Sequence, residues 1–95
     1  MNAAEQLRQE IVNSELIDKK KVLESVTNGI RQNGYCLVWE PYSGRSKIVY
    51  GSTTIEIARL EEEEAIKQYC LAQGFHVRRA FHPASGREYG FEVRL

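Results

Sequence analysis

Proline and cysteine are scarce in this chain, two of each in 95 residues. Cys36 and Cys70 are too few for a disulfide framework and lack Cys-x-x-Cys spacing, so reduced thiols of a cytoplasmic protein are expected. The longest apolar run is Tyr35-Cys36-Leu37-Val38-Trp39, far short of the roughly 20 residues a membrane-spanning helix needs. Residues 1–5 show no basic stretch leading into an apolar one, so no secretory signal is expected. The expected location is therefore the cytoplasm, with no membrane partner. Net charge is missing too. Thirteen Lys+Arg face 13 Asp+Glu, which removes any global attraction to nucleic acid or anionic lipid and leaves only local patches. Gly-x-Ser-x-Gly, His-Glu-x-x-His, Walker-type and Gly-x-Gly-x-x-Gly patterns are absent. The expectation is a protein that is not an enzyme, with no catalytic, cofactor-binding or metal residues and no cofactor.

What is present suits one small folded domain over residues 1–95. Hydrophobic residues make up 42% and charged residues 27%, an ordinary balance for a globular α+β chain. Residues 1–34 carry none of the nine aromatics and read as the helical part. Val12, Leu16, Leu23, Val26 and Ile30 follow a 3.6-residue period, with Lys19–Lys21 on the solvated side. Asn13-Ser14 can cap a second helix or sit inside one long helix. The long form is favoured, running to about Arg31 and stopping at Asn33-Gly34.

From Tyr35 the period becomes two, and residues 35–95 read as the mixed part. Tyr35, Leu37 and Trp39 share one face of a strand, and Lys47–Tyr50 returns after Pro41-Tyr42-Ser43-Gly44 as the second strand of an antiparallel hairpin. Residues 53–59 are ambiguous. Thr53 and Glu56 match a capping box, but β-branched alternation favours a third strand. A helix follows from about Glu61, with Ala65, Ile66, Tyr69 and Cys70 on its apolar face and Gly74 at its end. Phe75–Phe81 and Tyr89–Leu95 then form a terminal antiparallel hairpin, apolar on one face and charged on the other.

Four consecutive glutamates, Glu61–Glu64, suit the first turn of a helix, where free N–H groups carry partial positive charge. Cys70, His76 and His82 have ligand chemistry, but their spacing matches no usual zinc pattern. Ser43-Gly44-Arg45 and Ser85-Gly86-Arg87 are matching turn tripeptides. The last 21 residues hold Arg78, Arg79, Arg87 and Arg94 against Glu88 and Glu92, a local +2. Residues 52–74 hold Arg59 and Lys67 against Glu56 and Glu61–Glu64, a local −3. Strict alternation sets Arg79 on the apolar face, at the sheet margin or re-aimed by a bulge.

The helical start Ala4-Glu5-Gln6-Leu7-Arg8, the helix end Asn33-Gly34-Tyr35 and the passage Leu71-Ala72-Gln73-Gly74-Phe75-His76-Val77 into a terminal hairpin resemble, as a layout, short bacteriophage-encoded accessory proteins. That resemblance implies a non-enzymatic partner-binding role, as inhibitor or accessory factor of a host or defence protein in the host cytoplasm. The residues themselves point to protein–protein contact through Arg78, Arg79, Arg87, Arg45, Tyr42 and Trp39, types enriched at interface hot spots. A homo-oligomer is also expected, because the long helix and Tyr89–Leu95, taken as an edge strand, need cover. The alternative is nucleic-acid binding by a winged-helix-like basic hairpin, which the glutamates of the preceding helix oppose.

Overall fold

Asp18 starts the first long helix. Its side chain accepts a hydrogen bond from the Lys21 N–H at 3.2 Å, and α1 spans Lys19–Asn33. The computed structural model describes residues 2–5, 7, 16–40 and 46–95. Residues 3–5, 7 and 16 are also helical, and the break at Ile17-Asp18 separates them from α1. One unbroken helix is thus corrected to a helix opening at Lys19; the Asn13-Ser14 cap lies outside the described residues. The C-terminal boundary stands where expected, with Gly34 in the left-handed conformation (φ 85°) and its N–H donating to Ile30 O. Val22 and Val26 are buried with Ser25 and Gly29 between and beyond them, whereas Leu23 is 38% exposed. Of the expected stripe, Val26 is buried and Leu16 and Ile30 pack against the core, while Val22 takes the place of Leu23; Val12 lies outside the described residues.

The strands are β1 (Cys36–Trp39), β2 (Val49–Tyr50), β3 (Thr54–Glu56), β4 (His76–Phe81) and β5 (Glu88–Arg94), with α2 (Leu60–Ala72) between β3 and β4. They form one mixed sheet in the order β2-β3-β1-β5-β4. The fold is α+β. Residues 54–56 are strand, and the capping role falls later in the chain, on Glu62. Its Oε1 accepts from the N–H groups of Ala58 (2.8 Å) and Arg59 (2.9 Å). Glu62 is buried, so its carboxylate closes the helix entrance against the body of the protein.

Two pairings differ from expectation. β2 pairs antiparallel with β3 and not with β1, and β3 lies parallel to β1. Tyr89–Leu95 is not an edge either, because β5 is hydrogen-bonded to β1 on one side and to β4 on the other. Burial explains both. Ile55 of β3 and Phe91 and Val93 of β5 are buried and take interior places, while β2 and the arginine-bearing β4 are left at the margins.

α1 and α2 lie on one face of the sheet. A Cβ at Gly29 of α1 would stand 2.8 Å from the Cβ of Cys36. Ala65, Ile66 and Cys70 of α2 share one buried cluster with Cys36, Val38, Ile55, Ile57, Phe91 and Val93. No helix among the described residues is long and apolar enough to cross a membrane.

Cys36 and Cys70 are free and buried in this core. Burial pushes both thiols up to about 12, and at Cys36 the Cys70 thiol adds to the effect. Neither thiol is expected to react with iodoacetamide at pH 8 while the protein is folded. Labelling followed by mass spectrometry across a urea series should track unfolding. Each folded pKa lies above the unfolded value of 9.0, so the stability these thiols protect is complete below pH 9. It declines as pH rises toward 12, with a slope of up to about 1.4 kcal/mol per pH unit for each thiol. A Cys36→Ala, Cys70→Ala variant should show a flatter alkaline profile; an unchanged one would mean that the thiols titrate freely.

Candidate functional site

Because α1 and α2 cover the Cys36–Val38 side of β1, Leu37 and Trp39 project from the opposite side. Both are half-buried. The register then fixes their neighbours, since residues directly paired across strands share a face. One row runs Glu56, Trp39, Gly90, Ala80, and the next Thr54, Leu37, Glu92, Arg78. A third holds Arg94 and His76. None of these residues belongs to the buried cluster that α1 and α2 share with the sheet.

A bulge alters the aromatic content of this face. Ala80 is opposite Gly90 but Phe81 is opposite Glu88, so Tyr89 is an extra residue in β5. Strict alternation would send Tyr89 to the helix side with Phe91. The bulge brings it to Trp39 instead, with ring centroids 6.0 Å apart in an edge-to-face arrangement, and the His82 ring lies 6.1 Å beyond. Gly90 permits the bulge. A Cβ there would fall on the Val38 carbonyl oxygen and lie 2.7 Å from the Cα of Trp39. Farther along the face, Arg94 donates to Glu92 at 3.1 Å and sits 5.6 Å from the centre of the Tyr35 ring.

Of the residues singled out from the sequence, the structure brings Trp39 and Arg78 to this face. Arg79 leaves toward the other side, opposite Phe91. Its position at the sheet margin keeps the side chain 71% exposed, and it binds Glu88 at 2.6 Å with its guanidinium 5.3 Å from the Phe81 ring centre. That hydrogen bond holds the Glu88 carboxyl below the usual carboxylate range. On the same side, burial raises the Glu63 carboxyl, and the charges of Glu88 and Glu40 raise it further. Arg87 is exposed in the turn between β4 and β5, where its N–H donates to Ser85 Oγ at 3.3 Å and its carbonyl accepts from the His82 N–H. Tyr42 and Arg45 lie outside the described residues. Cys70 is in the core whereas His76 is on the open face, so the Cys70, His76 and His82 set does not converge.

Tyr89 and the Tyr35–Arg94 pair are members of the face that the sequence reading left out as site residues. Tyr35 was legible through its alternation with Leu37 and Trp39; Tyr89 was hidden by the bulge. A groove of about 520 Å³ runs between α1 and β2, lined by Lys21, Glu24, Asn28 and Tyr50 among others. None of the described candidate residues lines it.

No protein-family model matches this chain, no curated protein is similar to it, and no solved structure matches its fold.

Proposed function

We propose that this is a non-enzymatic binding protein that engages a protein partner with the open face of its sheet, centred on Trp39, Leu37 and Tyr89. The observation that carries the reading is that, among the described residues, α1 and α2 lie on one side of the sheet, while the other side presents an aromatic and apolar row. Trp, Tyr and Arg dominate hot spots because they bury large areas with few rotors and retain a polar handle. Arg78 and Arg94 are balanced on this face by Glu56 and Glu92, a mixed pattern suited to a protein surface. An inhibitory or accessory role in a host cytoplasm, which the resemblance to short bacteriophage-encoded accessory proteins implies, is part of this proposal.

Nucleic acid is the less favoured partner. β5 is interior to the sheet, so the terminal hairpin does not stand free as a wing, and Arg79 and Arg94 are paired with carboxylates. A phosphate backbone needs an excess of positive charge.

The test is affinity capture from native host cells, followed by titration of the captured partner with Trp39→Ala and Arg78→Glu variants. Trp39→Ala should weaken binding at least tenfold, with far-UV circular dichroism unchanged and a shallow dependence on salt. A partner that binds both variants as tightly as the unaltered protein would sink this reading. A steep fall of affinity with salt would transfer it to nucleic acid. Self-association read by analytical ultracentrifugation and lost in Trp39→Ala would make the partner a second copy.

A further inference from the structure

We infer a second interaction surface, adjoining the open face and sharing Arg78 with it: the outer edge of β4 accepts an extended segment of a partner protein carrying two consecutive acidic residues, which adds to the sheet as a sixth strand. β4 is the outermost strand, and among the described residues its one strand neighbour is β5. At the end of the strand the His82 N–H donates inward to the Arg87 carbonyl. The alternation of an antiparallel ladder then turns the backbone groups of Ala80, Arg78 and His76 toward β5 and those of Val77, Arg79 and Phe81 outward. Three residues thus present N–H and C=O groups along an edge that holds no proline.

The side chains state which strand fits. Successive residues of a strand leave on opposite faces, so Arg78 projects on the open face and Arg79 on the helix face, and both are exposed. An incoming strand sets its own side chains about 5 Å from those it opposes. Two adjacent carboxylates would meet Arg78 and Arg79, one on each face. The arginine side chain has five donors, so Arg79 can hold Glu88 and a second carboxylate. On the helix face, Val77 and the 50% exposed Phe81 flank Arg79, so the fitting segment reads apolar–x–acid–acid–apolar. A second copy of β4 is a poor occupant. Symmetric pairing centred on either arginine sets Arg78 against Arg78 or Arg79 against Arg79, a like-charge contact that protects natural edges.

The probe is a capped peptide, Thr-Val-Thr-Glu-Glu-Val-Thr, compared with its Lys-Lys counterpart. The acidic peptide should bind at least tenfold more tightly and slow amide exchange at Val77, Arg79 and Phe81, leaving Arg78 and Ala80 unchanged. Arg79→Pro removes an outward N–H at a position where an edge strand tolerates proline and should abolish binding. Arg78→Glu with Arg79→Glu should reverse the preference toward the lysine peptide, a readout that loss of folding cannot produce. Trp39→Ala should leave peptide binding intact, which separates this surface from the open face. Equal binding of the two peptides, or protection elsewhere in the sheet, would overturn the inference.

Discussion

Gly90→Ala is expected to destabilise the protein by about 3 kcal/mol or more, a large part of the 5–15 kcal/mol typical of a small domain. The added methyl would land on the backbone of β1, at the Val38 carbonyl oxygen and 2.9 Å from the Cβ of Trp39. Neither is the free end of a long side chain that can swing away. β5 would have to separate from β1, and with it would go the pairing of Trp39 with Gly90 at the centre of the sheet. Urea unfolding is the measurement. A loss below 1 kcal/mol would mean that the two strands are not so close.

The second large effect is expected at Ile66→Ala, about 2–5 kcal/mol. Ile66 is fully buried and stands on the face of α2 that meets the sheet with Ala65 and Cys70. Its truncation opens a cavity between the helix layer and the sheet. Leu71 on the same helix is 45% exposed, so Leu71→Ala should cost well under half as much. Denaturation of the two variants side by side is decisive; equal losses would mean that α2 docks by a different face.

Local features of this fold were readable because they follow from local chemistry. Gly34 and Gly74 end helices through a left-handed backbone (φ 85° and 90°), and the alternation of Cys36–Trp39 and of Val77–Phe81 names strands without outside help. Strand order was not readable. Pro41–Gly44 suggests a turn that brings β2 back against β1, yet β2 has two strand residues, one of them the 38% exposed Val49. Ile55 requires cover that the margin cannot provide, so β3 takes the inner place. Arg78 and Arg79 were grouped as one contact surface, although strict alternation already set Arg79 on the apolar face at the sheet margin, where the structure keeps it. In a strand adjacency means opposite faces, and only Arg78 reaches the open face. Gly90 was the one available sign of the bulge, since an isolated glycine in a strand pattern marks such sites. Which face Tyr89 would join required the register.

Composition divides this chain near Gly34, and the whole sheet lies on the C-terminal side of that division as one unit. β1 lies at its centre, bonded to β3 on one flank and to β5 on the other. Remove β5, and Cys36 and Val38 lose the partner strand that shields them. Isolate β4 with β5, and what remains is a two-stranded ribbon, which is marginal in water. Neither part of the sheet has a separate stability to fall back on, so the sheet is expected to melt cooperatively, with damage at either end felt at both.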